Sequence, residues 1–304
     1  MNIYADRLVK ACRDAERSWD TEDALRVPRP PASRTGTWLL LDVAPVSYVC
    51  ANDIRTAGGV LAKDEEFLIS QIVGGMAAAF RAIEEDVNPC AVMMFTEGRD
   101  GKMSRRRLYP AYKENRDKLR AGMDETERRI DQVRRQAISP ANLTMAFGCS
   151  YGYCHTETLE ADDAIAAVAL GLSLSGCRCV IATNDSDIWQ CCRWKGVEIL
   201  DTARHSHVRQ RDIEDAFGDA RNIPLFKAIA GDPSDNIGGV PGIGEKTARL
   251  VLDGHSISPR HEALLREHEA AVIDGLMITH LPLVGSAGSC DHNMLAYELE
   301  PLPF

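Results

Sequence analysis

Three short apolar segments along the chain each lead into acidic residues. Residues 38–41 precede Asp42, residues 91–95 are followed by Thr96 and Glu97, and residues 179–182 lead to Asp185 and Asp187. Apolar runs of this length predict buried β-strands. Residues 66–85 and 161–173 lie between these runs and have the length of helices that connect parallel strands. The pattern predicts an α/β fold with a doubly wound, mostly parallel central sheet, in which ligands bind outside the carboxyl ends of the strands.

The pattern changes at both ends of this predicted core. Residues 1–36 carry mixed charges and end in closely spaced prolines, which predicts a short leader helix and a linker. From about residue 211 the chain reads as helix, glycine-rich turn and helix, with a further helix at residues 260–277. Residues 197–200 are one more candidate strand just before this change. We therefore expect an N-terminal extension (1–36), an α/β core (37–210) and a helical lobe (211–304).

Charge is unevenly distributed along the chain. The formal net charge of −10 and the pI near 5.3 argue, taken alone, against a polyanionic partner. Residues 99–135 nevertheless contain thirteen Lys and Arg against seven Asp and Glu, a net charge of +6. The predicted core therefore contains one basic segment in an acidic protein.

Composition disfavours several classes of protein. No run approaches the roughly 20 apolar residues of a membrane span, and residues 1–36 lack the apolar centre of a signal peptide. The ten cysteines are scattered, so we expect reduced thiols in a cytoplasmic protein with no membrane partner. Cys149, Cys154 and His155 form the most suggestive group for zinc, but no second pair lies at the spacing of a zinc finger.

Nine carboxylates occupy the predicted strand ends and loops. They are Asp42, Glu97, Glu160, Asp162, Asp163, Asp185, Asp187, Asp232 and Asp235. Three of them fall within four residues, where they repel one another unless a cation lies among them, although an acidic helix N-terminus explains that tetrapeptide equally well. Hard divalent cations such as Mg²⁺ or Mn²⁺ prefer oxygen ligands and keep several waters, so nine acids suit two ions. Two such ions would activate a water and stabilise the leaving oxygen of a phosphodiester.

Four stretches together resemble the 5′-nuclease (flap endonuclease) family, which includes phage 5′-3′ exonucleases and the 5′-nuclease domain of bacterial DNA polymerase I. They are residues 108–116 (LYPAYKENR), 159–165 (LEADDAI), 182–187 (ATNDSD) and 230–248 (AGDPSDNIGGVPGIGEKTA). The resemblance runs from about residue 38 to residue 253. It implies a PIN-like, Rossmann-like fold with a helical arch at about residues 99–135 and a helix-hairpin-helix in the helical lobe.

The resemblance also assigns the acids to metal ions. Asp42, Glu97, Glu160 and Asp162 would serve the catalytic ion, and Asp163, Asp185, Asp187, Asp232 and Asp235 the second, with the division between the two sites left open. One position departs from the family, which usually has aspartate where this chain has Glu97. Glutamate reaches one methylene further, and Asp100 is a less favoured substitute.

Basic and aromatic residues of the predicted arch are candidate DNA contacts. By resemblance, Lys113 and Arg116 act on the scissile phosphate, which a point charge and a guanidinium fork can neutralise. Arg105, Arg106 and Arg107 are candidate DNA-binding residues, with a solvated basic helix face as the alternative. Tyr109 and Tyr112 are candidates for stacking on an unpaired base, and packing within the arch fits them equally well.

Residues 239–246 (GVPGIGEK) resemble the hairpin of a helix-hairpin-helix. Glycines such as Gly242 and Gly244 let the backbone approach a phosphate, and the following helix, which carries Lys246, favours anions at its N-terminus. Such a hairpin grips duplex DNA without reading its sequence. In the family it commonly binds a monovalent cation, so K⁺ is expected there.

These features predict a metal-dependent 5′-3′ exonuclease or 5′-flap endonuclease that hydrolyses DNA by a two-metal mechanism. A separate chain of this kind fits a phage replication or recombination nuclease, acting as a monomer in the host cytoplasm beside replication proteins. Expected substrates are 5′ ends, 5′ flaps and duplex DNA, with RNA–DNA hybrid as a further option. The alternatives are a catalytically silent DNA-binding protein of the same fold and an RNA nuclease of the PIN-like class, against which the hairpin argues.

Overall fold

The computed structural model describes residues 3–24, 36–148 and 151–283. Its centre is a six-stranded sheet of β1 (Thr37–Asp42), β2 (Ala91–Glu97), β3 (Gly152–Thr156), β4 (Arg178–Thr183), β5 (Val197–Asp201) and β6 (Ser206–His207). The strands lie in the order β3-β2-β1-β4-β5-β6, with β1 to β5 parallel and β6 antiparallel to β5. The predicted doubly wound, mostly parallel sheet is confirmed.

Helices surround the sheet and form a second lobe. Those of the core are α2 (Val43–Ala57), α3 (Glu65–Val87), α4 (Met103–Leu108), α5 (Glu114–Ala121), α6 (Glu125–Ala137), α7 (Pro140–Phe147) and α8 (Ala161–Leu174). The N-terminal extension forms α1 (Ile3–Ala24), and the lobe contains α9 (Gln210–Phe217), α10 (Ile223–Ala230), α11 (Glu245–Leu252), α12 (Pro259–Glu267) and α13 (Glu269–Thr279). Short 3-10 helices cover Val60–Ala62, Ser186–Arg193 and Ala220–Asn222.

The central strand β1 is buried on both faces. Trp38 and Leu40 belong to one core cluster, which also contains Ile165 of α8. Leu39 belongs to the other, together with Ile72 of α3. Because successive side chains of a strand point to opposite faces, a continuous apolar run fills both cores at once.

The sheet changes direction at β1. The chain builds outward from β1 through β2 to β3 on one side and through β4 to β5 on the other. In doubly wound sheets the crevice at such a switch point lies outside the carboxyl ends of the strands and receives the ligand. Asp42 ends β1 and Asp185 follows β4 closely, so the fold brings these two acids to the crevice.

Several elements differ from the predicted ones. The structure adds β3, β6 and α2, of which α2 begins directly after Asp42. The candidate strand at residues 197–200 is confirmed as β5. The single helix predicted at residues 260–277 is wrong, because α12 and α13 are separate helices that meet at His268.

Helix α3 is long and apolar enough, by length and composition, to cross a membrane, so the expectation that no stretch approaches this is wrong. Its buried residues Leu68, Ile72, Met76 and Phe80 pack in the core on one face of the sheet. This spacing of four is that of a helix with one apolar face against a sheet. Packing in the core therefore accounts for the buried face of α3, and 28% of its apolar window is buried.

Helix α1 packs on the helical lobe. Its Ala5, Leu8, Val9 and Cys12 are buried in a cluster that contains side chains of α10, α11, α12 and α13. The predicted leader helix is therefore present, but it is longer than a short leader and contributes to the core of the lobe. Most of the predicted linker, residues 25–35, lies outside the described residues.

Candidate active site

An open cleft of about 1250 Å³ lies at the carboxyl edge of the sheet. Its acidic lining consists of Asp42, Glu97, Asp131, Glu160, Asp162 and Asp185, of which all but Asp131 are predicted metal ligands. Its basic lining consists of Arg99, Lys102, Lys113, Arg116, Arg120, Arg128, Arg134 and Arg135. The fold therefore places five of the nine predicted acids and much of the basic segment around one cleft.

Asp42 is a buried carboxylate held at the switch point of the sheet. The Thr183 hydroxyl donates a hydrogen bond to its Oδ2 at 2.8 Å, and the backbone N–H of Asp185 donates to the same hydroxyl at 3.1 Å. Burial raises the pKa of Asp42 to about 7, and the negative charges of Asp185 and Glu97 add to the rise, while the Thr183 hydrogen bond opposes it. A cation at this point would relieve both the burial and the repulsion.

Asp162 and Asp185 show the same electrostatic conflict. Burial raises the pKa of the Asp162 carboxyl well above its usual range, and repulsion by Asp185, Asp42 and Glu160 adds to this. Burial likewise raises the pKa of Asp185 despite attraction by Lys227 and Lys113. Three carboxylates that disfavour one another's charge, with oxygen donors alone, fit a hard divalent cation. Repulsion thus couples Asp185 to Asp42 and Asp162, while attraction by Lys227 couples it to the second predicted set, so the division between the two ions stays open.

Glu97 borders the same group from the end of β2. Its Oε2 accepts a hydrogen bond from the backbone N–H of Ala161 at 3.1 Å, at the start of α8. Glu97 is exposed to the cleft, but desolvation by the surrounding protein and repulsion by Glu160 raise its pKa, and Lys113 opposes this. Of the two candidate carboxylates, Glu97 at the end of β2 lines the cleft and Asp100 does not. The role of Glu97 as a metal ligand stays a prediction.

Glu160 differs from these acids because cations already neutralise it. Its Oε2 accepts from Arg105 at 2.9 Å and from the Tyr112 hydroxyl at 2.7 Å, and its Oε1 accepts from Lys113. Burial raises the pKa of Glu160, but Lys113 and Arg105 outweigh it and hold the pKa at about 2. Both oxygens are engaged, so Glu160 is an anchor for Lys113 as well as a predicted metal ligand.

A second acidic cluster lies at the edge of the helical lobe. One carboxylate oxygen each of Asp187, Asp232 and Asp235 lies within 4.8 Å of the others, an arrangement that can hold a metal ion. The Lys227 ammonium contacts Asp187 and lies 2.8 Å from Oδ2 of Asp232. These three acids were all predicted for the second ion, and Lys227 was not predicted.

Asp163 and Arg105 form a buried ion pair beside the cleft. The guanidinium of Arg105 donates to both oxygens of Asp163, at 2.6 and 2.8 Å, and the backbone N–H of Leu283 donates to Oδ1 of Asp163. Both side chains are fully buried, and Arg105 also donates to the carbonyl of Ile278. The ion pair between α4 and α8 thus engages both groups in this structure, and metal binding by Asp163 and DNA binding by Arg105 stay predictions.

The two tyrosines of the basic segment pack inside the protein. Tyr112 is 2% exposed, and its hydroxyl donates to Glu160 and to Asp235. Tyr109 packs partly buried beside it, next to Ile237 and Ile278. Of the two interpretations of Tyr112, packing holds and stacking on a base does not, because the ring has no free face.

Lys113 and Arg116 face the cleft, as predicted for them. Lys113 adopts the left-handed conformation with φ 53°, and its backbone N–H donates to the carbonyl of Asp235 at 3.0 Å. Arg116 is half exposed and donates to Oδ1 of Asp235 at 2.9 Å. Arg106 is bound to Asp117 and to the Tyr112 carbonyl, while Arg107 is exposed, so their contacts with DNA stay predictions.

Gly242, Gly244 and Lys246 lie in the loop between α10 and α11 and at the start of α11, and all three are exposed. Gly239 in the same loop has φ 62°, and a Cβ there would lie 2.3 Å from the backbone nitrogen of Gly231. Only glycine fits this close approach. The structure thus shows a tight glycine loop between two helices, and its action as a DNA-binding hairpin stays a prediction.

Lys227 is the residue of this site that the sequence reasoning missed. It is the single charged residue of α10, whose sequence is otherwise apolar (IPLFKAIA), and that helix ends directly before the acidic loop. A lysine in an apolar helix is a signal for a buried or half-buried partner, because an unpaired ammonium is costly to bury. That signal was present in the sequence.

Comparison with known proteins identifies the family. A family model described as the N-terminal, resolvase-like domain of 5′-3′ exonucleases matches residues 50–218, more than half of the chain. This chain belongs to the 5′-3′ exonuclease family. The matched segment of this family member contains the cleft residues from Glu97 to Asp185.

Curated relatives of this 5′-3′ exonuclease family member match over part of their length. Flap endonuclease Xni of Aeromonas hydrophila is 31% identical over 173 residues, which is 55% of this chain and 58% of that protein. DNA polymerase I of Caldicellulosiruptor bescii is 31% identical over 162 residues, which is 51% of this chain and 18% of the polymerase. The chain thus matches less than a fifth of such a polymerase.

Solved structures share the fold of this family member. The 5′-exonuclease of phage T5, described with bound zinc, superposes with a TM-score of 0.67 at 17% identity over 81% of this chain and 90% of that one. A variant of the T5 D15 flap endonuclease, described in a pseudo-enzyme-product complex with DNA and metal ions, gives a TM-score of 0.65 over 83% and 90%. The expected 5′-nuclease fold is therefore confirmed.

Proposed function

We propose that this chain hydrolyses phosphodiester bonds of DNA at 5′ ends and 5′ flaps with the help of two divalent cations. The proposal rests on Asp42, Asp162 and Asp185, three carboxyls of raised pKa that line one cleft together with eight Lys and Arg. Oxygen donors alone favour Mg²⁺ or Mn²⁺. The names of the relatives, a flap endonuclease and DNA polymerase I, and the DNA complex of the T5 enzyme support DNA as substrate.

The residues of the cleft divide into holders of cations and holders of phosphate. Asp42, Asp162 and Asp185 would bind one ion, and the cluster of Asp187, Asp232 and Asp235 the other. Divalent ions bound there would supply a water of lowered pKa and stabilise the leaving oxygen. Lys113 and Arg116 project into the same cleft, where their charges would orient the scissile phosphate and offset the charge that develops on it.

The ammonium of Lys113 is placed before any substrate arrives. Glu160 holds it by a hydrogen bond, and Glu160 is itself fixed by Arg105 and Tyr112. A charge fixed in advance costs no reorganisation during the reaction, which is the main advantage of an enzyme over water. The buried network around Glu160 therefore supports the chemistry without touching the substrate.

The test uses a 5′-labelled flap and a 5′-labelled linear duplex, each incubated with Mg²⁺, with Mn²⁺ and with a chelator. We expect cleavage that needs a divalent ion, and a loss of at least about a hundredfold in Asp162→Asn and Asp185→Asn. Asp274→Asn changes an exposed aspartate of α13 and serves as the matched control. Release of mononucleotides or of an intact flap then distinguishes exonuclease from flap endonuclease action.

Absence of cleavage by folded wild-type protein in both metals would contradict the proposal. If the same protein still bound the flap, the alternative of a catalytically silent DNA-binding protein would replace it. K⁺ at the glycine loop, activity on RNA–DNA hybrid and a role in phage replication or recombination stay predictions.

A further inference from the structure

Lys227 places a positive charge inside the second acidic cluster. Its ammonium contacts Oδ1 of Asp187 and lies 2.8 Å from Oδ2 of Asp232. The side chain is 13% exposed, so it is held within the cluster rather than in bulk solvent. One ligand oxygen of each of these two acids also belongs to the group that can hold a metal ion with Asp235.

The lysine and a metal ion need the same carboxylates. A divalent ion such as Mg²⁺ requires its oxygen ligands at about 2.0–2.1 Å, and an ammonium contacting both Asp187 and Asp232 lies in the space between them. Lys227 thus places a positive charge on Asp187 and Asp232, while Arg116 pairs with Asp235 of the same cluster.

The backbone around the cluster is held in place by hydrogen bonds and close packing, whereas the side chain of Lys227 can change its conformation. Asp232 and Ile237 exchange two backbone hydrogen bonds of 2.8 Å, which close the acidic loop. Gly239 packs directly on the backbone of Gly231, which fixes the loop against the end of α10. A lysine side chain, by contrast, has four rotatable carbons and can swing its charge away.

We propose that Lys227 is a built-in counter-cation of the Asp187–Asp232–Asp235 cluster that competes with the second divalent ion. The inference rests on the proposed function, because it takes this cluster to be a divalent site. The cluster would accordingly fill at higher metal concentration than the site of Asp42, Asp162 and Asp185. Filling would require Lys227 to leave the two aspartates.

The experiment measures Mn²⁺ binding to the full chain without DNA, by electron paramagnetic resonance of free Mn²⁺ and by calorimetry. Wild type should bind one ion tightly and a second weakly. Lys227→Met should bind the second ion about ten- to a hundredfold more tightly, since one repelling charge within a few ångströms is removed. Lys227→Arg keeps the charge and should retain the weak second site.

Lys195→Met removes the same charge from an exposed turn before β5, at the opposite edge of the sheet, and should leave both affinities unchanged. Lys227→Gln replaces Lys227→Met if the methionine variant does not fold, with the same expected tightening. Second-site affinities of Lys227→Met or Lys227→Gln within threefold of wild type would overturn the inference while leaving the proposed function intact. Absence of any Mn²⁺ binding by wild type would overturn both.

Discussion

Asp42 lies at the carboxyl end of β1 and lines the cleft, where its carboxyl group is buried. In the folded protein without metal, burial raises the pKa of Asp42 to about 7. An aspartate in the unfolded chain has a pKa of about 3.9. Between these values the folded state binds more protons than the unfolded state, so stability falls as pH rises. Above about pH 7 the full destabilisation by this carboxylate is present.

We therefore expect the thermal midpoint of the metal-free protein to decrease as the pH rises from about 4 to about 7. Asp42→Asn should make the thermal midpoint depend less steeply on pH. The remaining dependence comes from Asp162 and Asp185, whose pKa values are raised as well. With saturating Mg²⁺ the trend should reverse, because protons compete with the metal for the same oxygens. Calorimetry in a chelator and in Mg²⁺ measures both trends. Equal pH dependence of wild type and Asp42→Asn would contradict the assignment.

Residue roles were predictable where the local sequence alone decides them. The acids at strand ends were predicted from the run of apolar residues before each one, as at Asp42 and Asp185. The partners of Asp163 and Tyr112 were not predictable, because Arg105 is 58 positions from Asp163 and Asp235 is 123 positions from Tyr112. Which carboxylate meets a cation and which meets a like charge depends on packing between distant segments.

At the scale of elements, apolar runs in the sequence predicted β1, β2, β4 and β5. Strands without such a run were not predicted. Strand β3 has the sequence GYCHT, which lacks a clear apolar run, and β6 is two residues long. Helix α2 begins immediately after Asp42, so this predicted metal ligand marks the boundary between strand and helix. The break between α12 and α13 was not predicted, because the apolar spacing continues across His268.

Helix α1 should contribute measurably to stability. Leu8 is 3% exposed within the cluster shared with α10, α11, α12 and α13. We expect Leu8→Ala to lower the free energy of unfolding by about 2–4 kcal/mol, because it removes apolar burial and leaves a cavity. Urea unfolding measures this, and Lys10→Ala on the exposed face of α1 is the control. A cost equal to that of the control would mean that α1 does not hold the lobe together.

At the scale of the whole molecule, positive charge is concentrated at the cleft of an acidic protein. The chain has a net charge of −10, yet eight Lys and Arg line one cleft around the acidic floor. An acidic average with a basic cleft restricts binding of a polyanion to that cleft and repels it elsewhere.

This arrangement makes a prediction about salt. Arg120 and Arg128 are exposed residues of the cleft wall, outside the acidic clusters. If each neutralises one phosphate, Arg120→Gln and Arg128→Gln should each weaken binding of a 5′-flap in Ca²⁺ and reduce the slope of log affinity against log salt by about 1. Fluorescence anisotropy over a series of salt concentrations measures the slope. Lys195→Gln, before the first residue of β5 and away from the cleft, should leave the slope unchanged. If Arg120→Gln and Arg128→Gln also kept the wild-type slope, the DNA would bind outside this cleft.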